Sequence, residues 1–259
     1  MSDAVRRDGR VLRCRIARGR HGTLDGDALA EVTDALAAVD PAATGAVLLG
    51  PEHDPGNPSS FCTGGDVRAF AGADDRGTYV GELAQRFHAL IRAMVDCPVP
   101  VVAGVPGWAA GAGMSIVCAT DLAVGGRSTR LRPAYPGIGF SPDGGMSWTL
   151  PRIVGAGTAR QILLTDRVLD ADTALSLGIL TAVVDDAEVI AEAEHTAHRI
   201  AQGPTLALGR IKRLLAAAPD ATLAEHLDAE AAAISASAAG AEGDEGLAAF
   251  VGKRAPAFH

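Results

Sequence analysis

Two glycine loops in this 259-residue chain are suited to holding a negatively charged oxygen. The first, Phe61-Cys62-Thr63-Gly64-Gly65-Asp66-Val67, ends a predicted short strand (Ser60–Cys62) in two glycines and leaves a run of open N–H groups. The second, GWAAGAGMSIV from Gly107 to Val117, places Gly111, Ala112 and Gly113 where a helix should begin. Glycine is costly inside a helix and useful where another group must approach the main chain closely. The first N–H groups of a helix lack internal partners, and the helix dipole favours negative charge there. One amide from each loop, aimed at one oxygen, makes an oxyanion hole, in which a single donor is typically worth about 2.7–4 kcal/mol. A lone carboxylate, Asp143, sits in Ser141-Pro142-Asp143-Gly144-Gly145-Met146-Ser147-Trp148 just before another predicted helix. Read from these residues alone, Asp143 is an N-cap whose carboxylate takes the free amides of Gly145 or Met146.

The elements around these loops follow from periodicity. Residues 11–17 (VLRCRIA) roughly alternate as a half-buried strand does, and Asp27 to Asp40 has helical spacing. Ala46-Val47-Leu48-Leu49 reads as a buried strand, as do Val99–Ala103 and Leu122–Val124. Residues 80–95 form a predicted helix with Leu83, Phe87, Leu90, Ile91 and Met94 on one stripe. From about 143 onward the pattern is mostly helical. Strands and helices that alternate, followed by helices alone, predict an α/β core over 1–200 and a helical C-terminal region over 201–259. The Ala-rich stretch 221–251 suits a packing arm or an oligomer contact. His195 and His198, with Glu192 and Glu194 nearby, read as one solvated helix face, and His88 reads as a packing histidine.

Composition narrows the function. Hydrophobic residues make up 48% but aromatics only 4%, so Ala, Val, Leu and Ile must build the core. A net charge of −8 argues against a general nucleic-acid binder. Arginines crowd the start (Arg6, Arg7, Arg10, Arg13, Arg15, Arg18, Arg20), either as the outer face of a strand or as partners for a phosphorylated ligand. Cys14, Cys62, Cys97 and Cys118 are widely spaced, with no C-x-x-C pair and no zinc-like His spacing. They are expected to be buried thiols in a reducing, cytoplasmic setting, since no secretory signal is visible. The uncharged run 97–120 is long enough to raise a membrane question, but its prolines and glycines predict a buried strand, a turn and a short helix. Phosphate-loop, dinucleotide-fold and serine-hydrolase motifs are absent.

The segments SFCTGGDV (60–67), PVPVVAGVPGWAAGAGMSIVCATD (98–121), PGIGFSPDGGMSWTLPRIVG (136–155) and VLDADTALSLGILTAVV (168–184), with the tail from Glu245 through Phe258, resemble the crotonase (enoyl-CoA hydratase/isomerase) superfamily. The resemblance implies a spiral of ββα units, a C-terminal helical region used in trimer or hexamer formation, and an acyl-CoA thioester substrate without a separate cofactor or metal. It implies that the N–H groups of Gly65 and Ala112 polarise the thioester carbonyl. It places the coenzyme along the backbone of Gly64, Gly65, Asp66 and Val67, with Asp66 holding the loop. Arg68 and Arg18 are then candidates for its phosphates, Arg20 lies beside them, and Phe250 and Lys253 are candidates to close over the coenzyme of a neighbouring subunit. Hydratases of this family carry one catalytic glutamate where this chain has Ser115 and another where it has Tyr135. The segment around Asp143 resembles instead the single-acid isomerases of the superfamily, in which one carboxyl group moves a proton next to an enolate. Apolar neighbours Ile138, Phe140 and Trp148 would strengthen that base by desolvation. The resulting expectation is an acyl-CoA double-bond isomerase acting through Asp143. A hydratase or thioesterase using Ser115 or Tyr135, and a non-catalytic acyl-CoA-binding protein, are the alternatives.

Overall fold

The computed structural model describes residues 4–19, 21–51 and 60–259. Arg20 lies outside the described residues. The chain builds its architecture by repeating one unit: a strand in a large sheet, a short second strand beside it, then helix. Strands β1 (Val5–Asp8) and β2 (Val11–Cys14) open it as a hairpin, and β3 (Ala17–Arg18) pairs with β4 (Thr23–Leu24) before α1 (Gly26–Ala37). Then come β5 (Ala46–Leu49), α2 (Val67–Gly72) and α3 (Arg76–Asp96). The next units are β6 (Val101–Val105), β7 (Trp108–Ala110) and α4 (Ala112–Ala119), followed by β8 (Leu122–Gly126), β9 (Arg130–Arg132), α5 (Met146–Val154) and α6 (Ala156–Leu164). The last is β10 (Leu169–Asp170), α7 (Ala171–Ser176), β11 (Ala182–Val184) and α8 (Val189–Ala201). Helices α9 (Thr205–Ala217), α10 (Leu223–Ala238) and α11 (Ala241–Val251) complete the chain.

The large sheet runs β1–β2–β5–β6–β8–β11, parallel throughout except for β1. The small sheet, β10–β9–β7, collects the second strands. Parallel strands are covered on both faces, which is why β5 and β6 read as unbroken apolar runs. Val47, Leu49, Val101 and Ala103 face the main core with Leu36, Leu90, Met94 and Ile116. Val11, Ala46, Leu48, Val102 and Val124 face the other way, onto Ala193, Ala197 and Ala201 of α8. Alanines along that side let α8 lie close to the sheet. The uncharged run 97–120 is the buried β6, β7 and α4, and among the described residues no helix is long and apolar enough to cross a membrane.

Several local expectations need correction. Ser60–Cys62 is not a strand: Cys62 makes a single parallel bridge to Ala109, and the loop turns away at Gly64 (φ 92°) before a ladder can extend. The C-terminal third is not all helix, because β11 pairs with β8 and forms the edge of the large sheet. The α8 face carrying His195 and His198 is solvent-facing at His195, but two of its members are paired. His198 meets Asp8 at 3.1 Å, and Glu194 pairs with Arg13. Two of the early arginines are structural staples. Arg10 donates to the carbonyls of Pro41, Ala42 and Ala201 and to the Thr205 hydroxyl, and Arg7 donates to Ala43 and Thr44.

The C-terminal segment is tied down by carboxylates. Glu242 accepts from the first amides of α9, Leu206 at 2.9 Å and Ala207 at 3.1 Å, where a helix has spare donors. Glu245 takes both guanidinium nitrogens of Arg254, at 2.5 and 2.7 Å, and the Ala257 N–H at 2.6 Å. Those hydrogen bonds, Arg254 foremost, hold its carboxyl down at about 2.

All four cysteines are free and buried. Burial pushes the Cys14 and Cys118 thiols up to about 12 and Cys62 to about 11, so the folded state disfavours thiolate. The raised folded values mean this contribution to stability is intact below the ordinary thiol range and fades as pH rises through about 11 to 12. A thiol-reactive chromogenic disulfide at pH 8 is therefore expected to label none of the four in the native protein and all four in denaturant. Fast native labelling would contradict this packing.

Candidate active site

The two glycine loops meet, and a carbonyl sets the distance. Cys62 N–H donates to Trp108 at 3.2 Å, and its carbonyl accepts from Ala110 N–H at 2.9 Å, so the 61–65 segment runs alongside β7. Gly113 lies directly on that carbonyl: a Cβ there would sit 1.9 Å from the Cys62 oxygen. Two residues on in the first loop and one residue back in the second, a Cβ on Gly64 would lie 3.8 Å from the Ala112 nitrogen. From the other side the 21–24 segment pins the first loop, with Leu24 N–H on the Gly64 carbonyl and Thr63 N–H on the Gly22 carbonyl. Ala112 is the first residue of α4, whose N-cap, Gly111, has φ 55° and offers no side-chain cap. Neither Gly65 N–H nor Ala112 N–H has an acceptor among the described residues. Two open amides thus stand on adjoining loops, one of them at a buried helix start where the dipole adds positive potential.

Asp143 does not cap α5. Both Gly144 (φ 59°) and Gly145 (φ 75°) adopt left-handed backbone, so the helix starts late, with Gly145 at the N-cap. Only the Asp143 main-chain carbonyl meets Met146 N–H, at 3.3 Å. The carboxylate turns to Tyr135, whose hydroxyl donates to Oδ1 at 2.7 Å. Ser115 completes the group: its Oγ lies 3.1 Å from the Tyr135 hydroxyl and donates to the Asp143 carbonyl at 3.0 Å. Ser115 is fully buried. Tyr135 is nearly so, and burial, then the neighbouring Asp143 carboxylate, pushes its phenol well above the ordinary range. It is a permanent hydrogen-bond donor at any working pH.

The frame around this trio is specific. Arg132 donates to Asp166 Oδ2 at 3.0 and 2.5 Å, and Asp166 Oδ1 accepts Ala134 N–H at 2.7 Å. This holds Ala134 at φ 64°, an unusual conformation for a residue with a side chain, and the chain then enters at Tyr135. Gly144 is wedged between α3 and α4: a Cβ there would lie 2.1 Å from the Phe87 ring and 3.0 Å from Ser115 Cβ. The Phe70 ring covers Gly65, stacks on Phe140 (centroids 6.4 Å apart) and meets Tyr79 edge-on at 6.3 Å.

The remaining predicted residues sort by place. Asp66 caps α2, its Oδ1 accepting from Arg68 N–H at 2.9 Å and Ala69 N–H at 3.3 Å. Val67 and Arg68 are exposed beside the first loop. Arg18 pairs with Asp25, the N-cap of α1. Phe250 and Lys253 lie exposed at the end of α11, away from any side-chain partner among the described residues. Ile138 and Trp148 do not bury the carboxylate as expected. Both are over 40% exposed, and Trp148 instead carries the Arg152 guanidinium 3.6 Å from its ring. His88 is half-buried next to Phe87. Arg132, Ala134 and Asp166 went unread in the sequence, because nothing in a lone aspartate of a Thr-Asp-Arg turn signals a partner 32 residues earlier.

Residues 7–259 match the family described as enoyl-CoA hydratase/isomerase. The chain belongs to that family. Its crotonase-type fold is shared with the crystal structure of an enoyl-CoA hydratase from Polaromonas sp. JS666 (TM-score 0.88, 28% identity, 97% of each chain covered). Among curated relatives, the chain is 34% identical over 201 residues to the 1,2-epoxyphenylacetyl-CoA isomerase of Escherichia coli K12, covering 76% of each protein. It is 30% identical over 238 residues to the crotonyl-CoA hydratase of Syntrophomonas wolfei, covering 91% of this chain and 88% of that one. The family membership makes acyl-CoA chemistry the setting of the site.

The glycine contacts can be tested directly. Gly113→Ala must push back a main-chain carbonyl, and Gly144→Ala must do the same to a ring while holding a positive φ, so each is expected to lose about 3 kcal/mol in denaturant unfolding. Gly157→Ala, in open space on α6, should instead be neutral or gain up to about 1 kcal/mol. Equal effects at all three positions would refute the close loop contact.

Proposed function

We propose that this family member is an acyl-CoA double-bond isomerase. Gly65 and Ala112 N–H groups hold the thioester oxygen, and Asp143 moves the proton. The observation that carries this reading is the trio of Ser115, Tyr135 and Asp143. At the two positions where the family's hydratases hold glutamates, this chain has hydroxyls, hydrogen-bonded to each other and turned toward the one carboxylate. Adding water to a double bond calls for groups that both hold and activate it. A buried serine and a tyrosine locked in its neutral form do neither well. Moving a double bond needs one base.

In the proposed reaction the Asp143 carboxylate takes a proton from C2 of a 3-enoyl thioester. The electron pair moves into the carbonyl, giving a dienolate whose oxygen sits on the two amides. Collapse of the dienolate places the double bond at C2–C3, and Asp143, whose carboxyl proton exchanges with solvent at the dienolate stage, returns a proton to C4. Atoms and charge balance without any second reactant. A positioned base is worth roughly 10²–10⁴ in rate. The amides act where charge develops, which is the largest single source of stabilisation in such sites. Phe70, Phe140 and Tyr79 form the apolar cover under which the acyl group lies.

The coenzyme is placed along the Gly64–Val67 backbone, with Arg68 and the free edge of Arg18 facing its phosphates. Exposed Leu206, Ile211, Leu215, Leu227 and Ile234 on α9 and α10 suit burial between copies of the chain. In that proposed trimer or hexamer, Phe250 and Lys253 close over a neighbour's coenzyme.

A panel of CoA thioesters in deuterated water, read by mass spectrometry, tests the reading. Migration of the double bond with deuterium entry is expected for at least one 3-enoyl-CoA. Asp143→Asn should lower that rate by roughly 10²–10⁴ while acyl-CoA binding persists. Hydration of a 2-enoyl-CoA that survives Asp143→Asn and falls with Ser115→Ala would overturn it.

A further inference from the structure

The hydrogen bonds around Asp143 are unequal, and the inequality has a chemical meaning. Tyr135 has one proton, and it is committed to Asp143 Oδ1 at 2.7 Å. Any hydrogen bond between Ser115 Oγ and the Tyr135 hydroxyl, 3.1 Å apart, must then use the single serine proton, which is shared with the Asp143 main-chain carbonyl at 3.0 Å and the Gly111 carbonyl at 3.4 Å. Ser115 is therefore the anchor of a closed loop of contacts that grips Asp143 by its side chain and its main chain together. Ser115 itself is fixed on α4, the helix whose first amide belongs to Ala112. No donor among the described residues reaches Asp143 Oδ2.

We propose that Tyr135, seated by Ser115, is a positioning residue: it ties down Oδ1 of Asp143 and leaves Oδ2 as the oxygen that takes and returns the substrate proton. This rests on the isomerase reading of Asp143. The hydroxyls at 115 and 135 are then not remnants of a lost hydratase site. They link the base to the helix that carries the oxyanion donor, so base and donor keep one geometry. Tyr135 suits the task because its ring is rigid and buried and its hydroxyl stays protonated. The frame behind it, Arg132 and Asp166 on Ala134, fixes where that ring enters.

The probe is whichever 3-enoyl-CoA of the panel the unaltered protein isomerises. Tyr135→Phe keeps the ring and removes the grip, so kcat is expected to fall about 10–100-fold, the scale set by small misplacements of a reacting group. KM should stay within about twofold, because no contact with substrate is lost uniformly. In the Asp143→Asn background the same change should add no further loss, since the residue acts only through Asp143. Ser115→Ala leaves Tyr135 intact and should lower kcat by about 3–10-fold, the scale of one neutral hydrogen bond. It decides the matter alone if Tyr135→Phe fails to fold, with an unchanged kcat counting against the proposal. A kcat within twofold of wild type in Tyr135→Phe, with Asp143→Asn inactive, overturns the positioning role and leaves the isomerase reading standing. Parallel loss of kcat, substrate affinity and thermal stability would also overturn it, as a purely structural effect. Activity that survives Asp143→Asn would instead sink the isomerase reading itself.

Discussion

The contact of Gly113 with the Cys62 carbonyl controls the geometry of the whole site. It joins two segments that are far apart in the chain, at a distance no larger residue would allow. One hydrogen bond on each side of Cys62, to Trp108 and Ala110, keeps the segments in register. The open amides of Gly65 and Ala112 inherit their separation from this contact. Most of the surrounding structure serves it: β9 pairs with β7, which leads into α4, while the 21–24 segment braces the glycine loop from outside.

A second constraint concerns buried polar groups. Ser115 and Tyr135 occupy the middle of an apolar core, and each must find a partner or destabilise the fold. They find each other and Asp143. The left-handed pair Gly144-Gly145 frees the Asp143 carboxylate from capping duty, and the Phe87 wedge holds that pair in place. Local backbone geometry thus redirects a group that would otherwise stabilise a helix. The same logic places Ala134 at a costly φ, offset by the Arg132–Asp166 pair.

How much of this was legible in the chain depends on the range of the interactions. Strand β5 was readable residue for residue, because four apolar residues between turn formers are too short a run for a helix and suit a buried strand. The stripe on α3 was readable because helical spacing is local, and Phe87, Leu90, Ile91 and Met94 are indeed buried. Strands β7, β9 and β10 were not, since two or three residues carry no period and are ordered only by their neighbours in the small sheet. The glycine loops stood out by composition, but their meeting rests on tertiary contact. Asp143 stood out in the sequence, yet its N-cap reading failed because two successive positive φ values delay the helix. Nothing local announced that its partner would be Tyr135.

Because the candidate anion-holding groups belong to the peptide backbone, they do not depend on the identity of any side chain. Substitution at Gly113 is blocked by a carbonyl, while positions 115, 135 and 143 present side chains into one small space. Heredity can therefore rewrite these side chains one residue at a time without disturbing the backbone groups beside them. A scaffold of this kind separates what must stay invariant from what is free to diversify, and new reactions become short evolutionary steps.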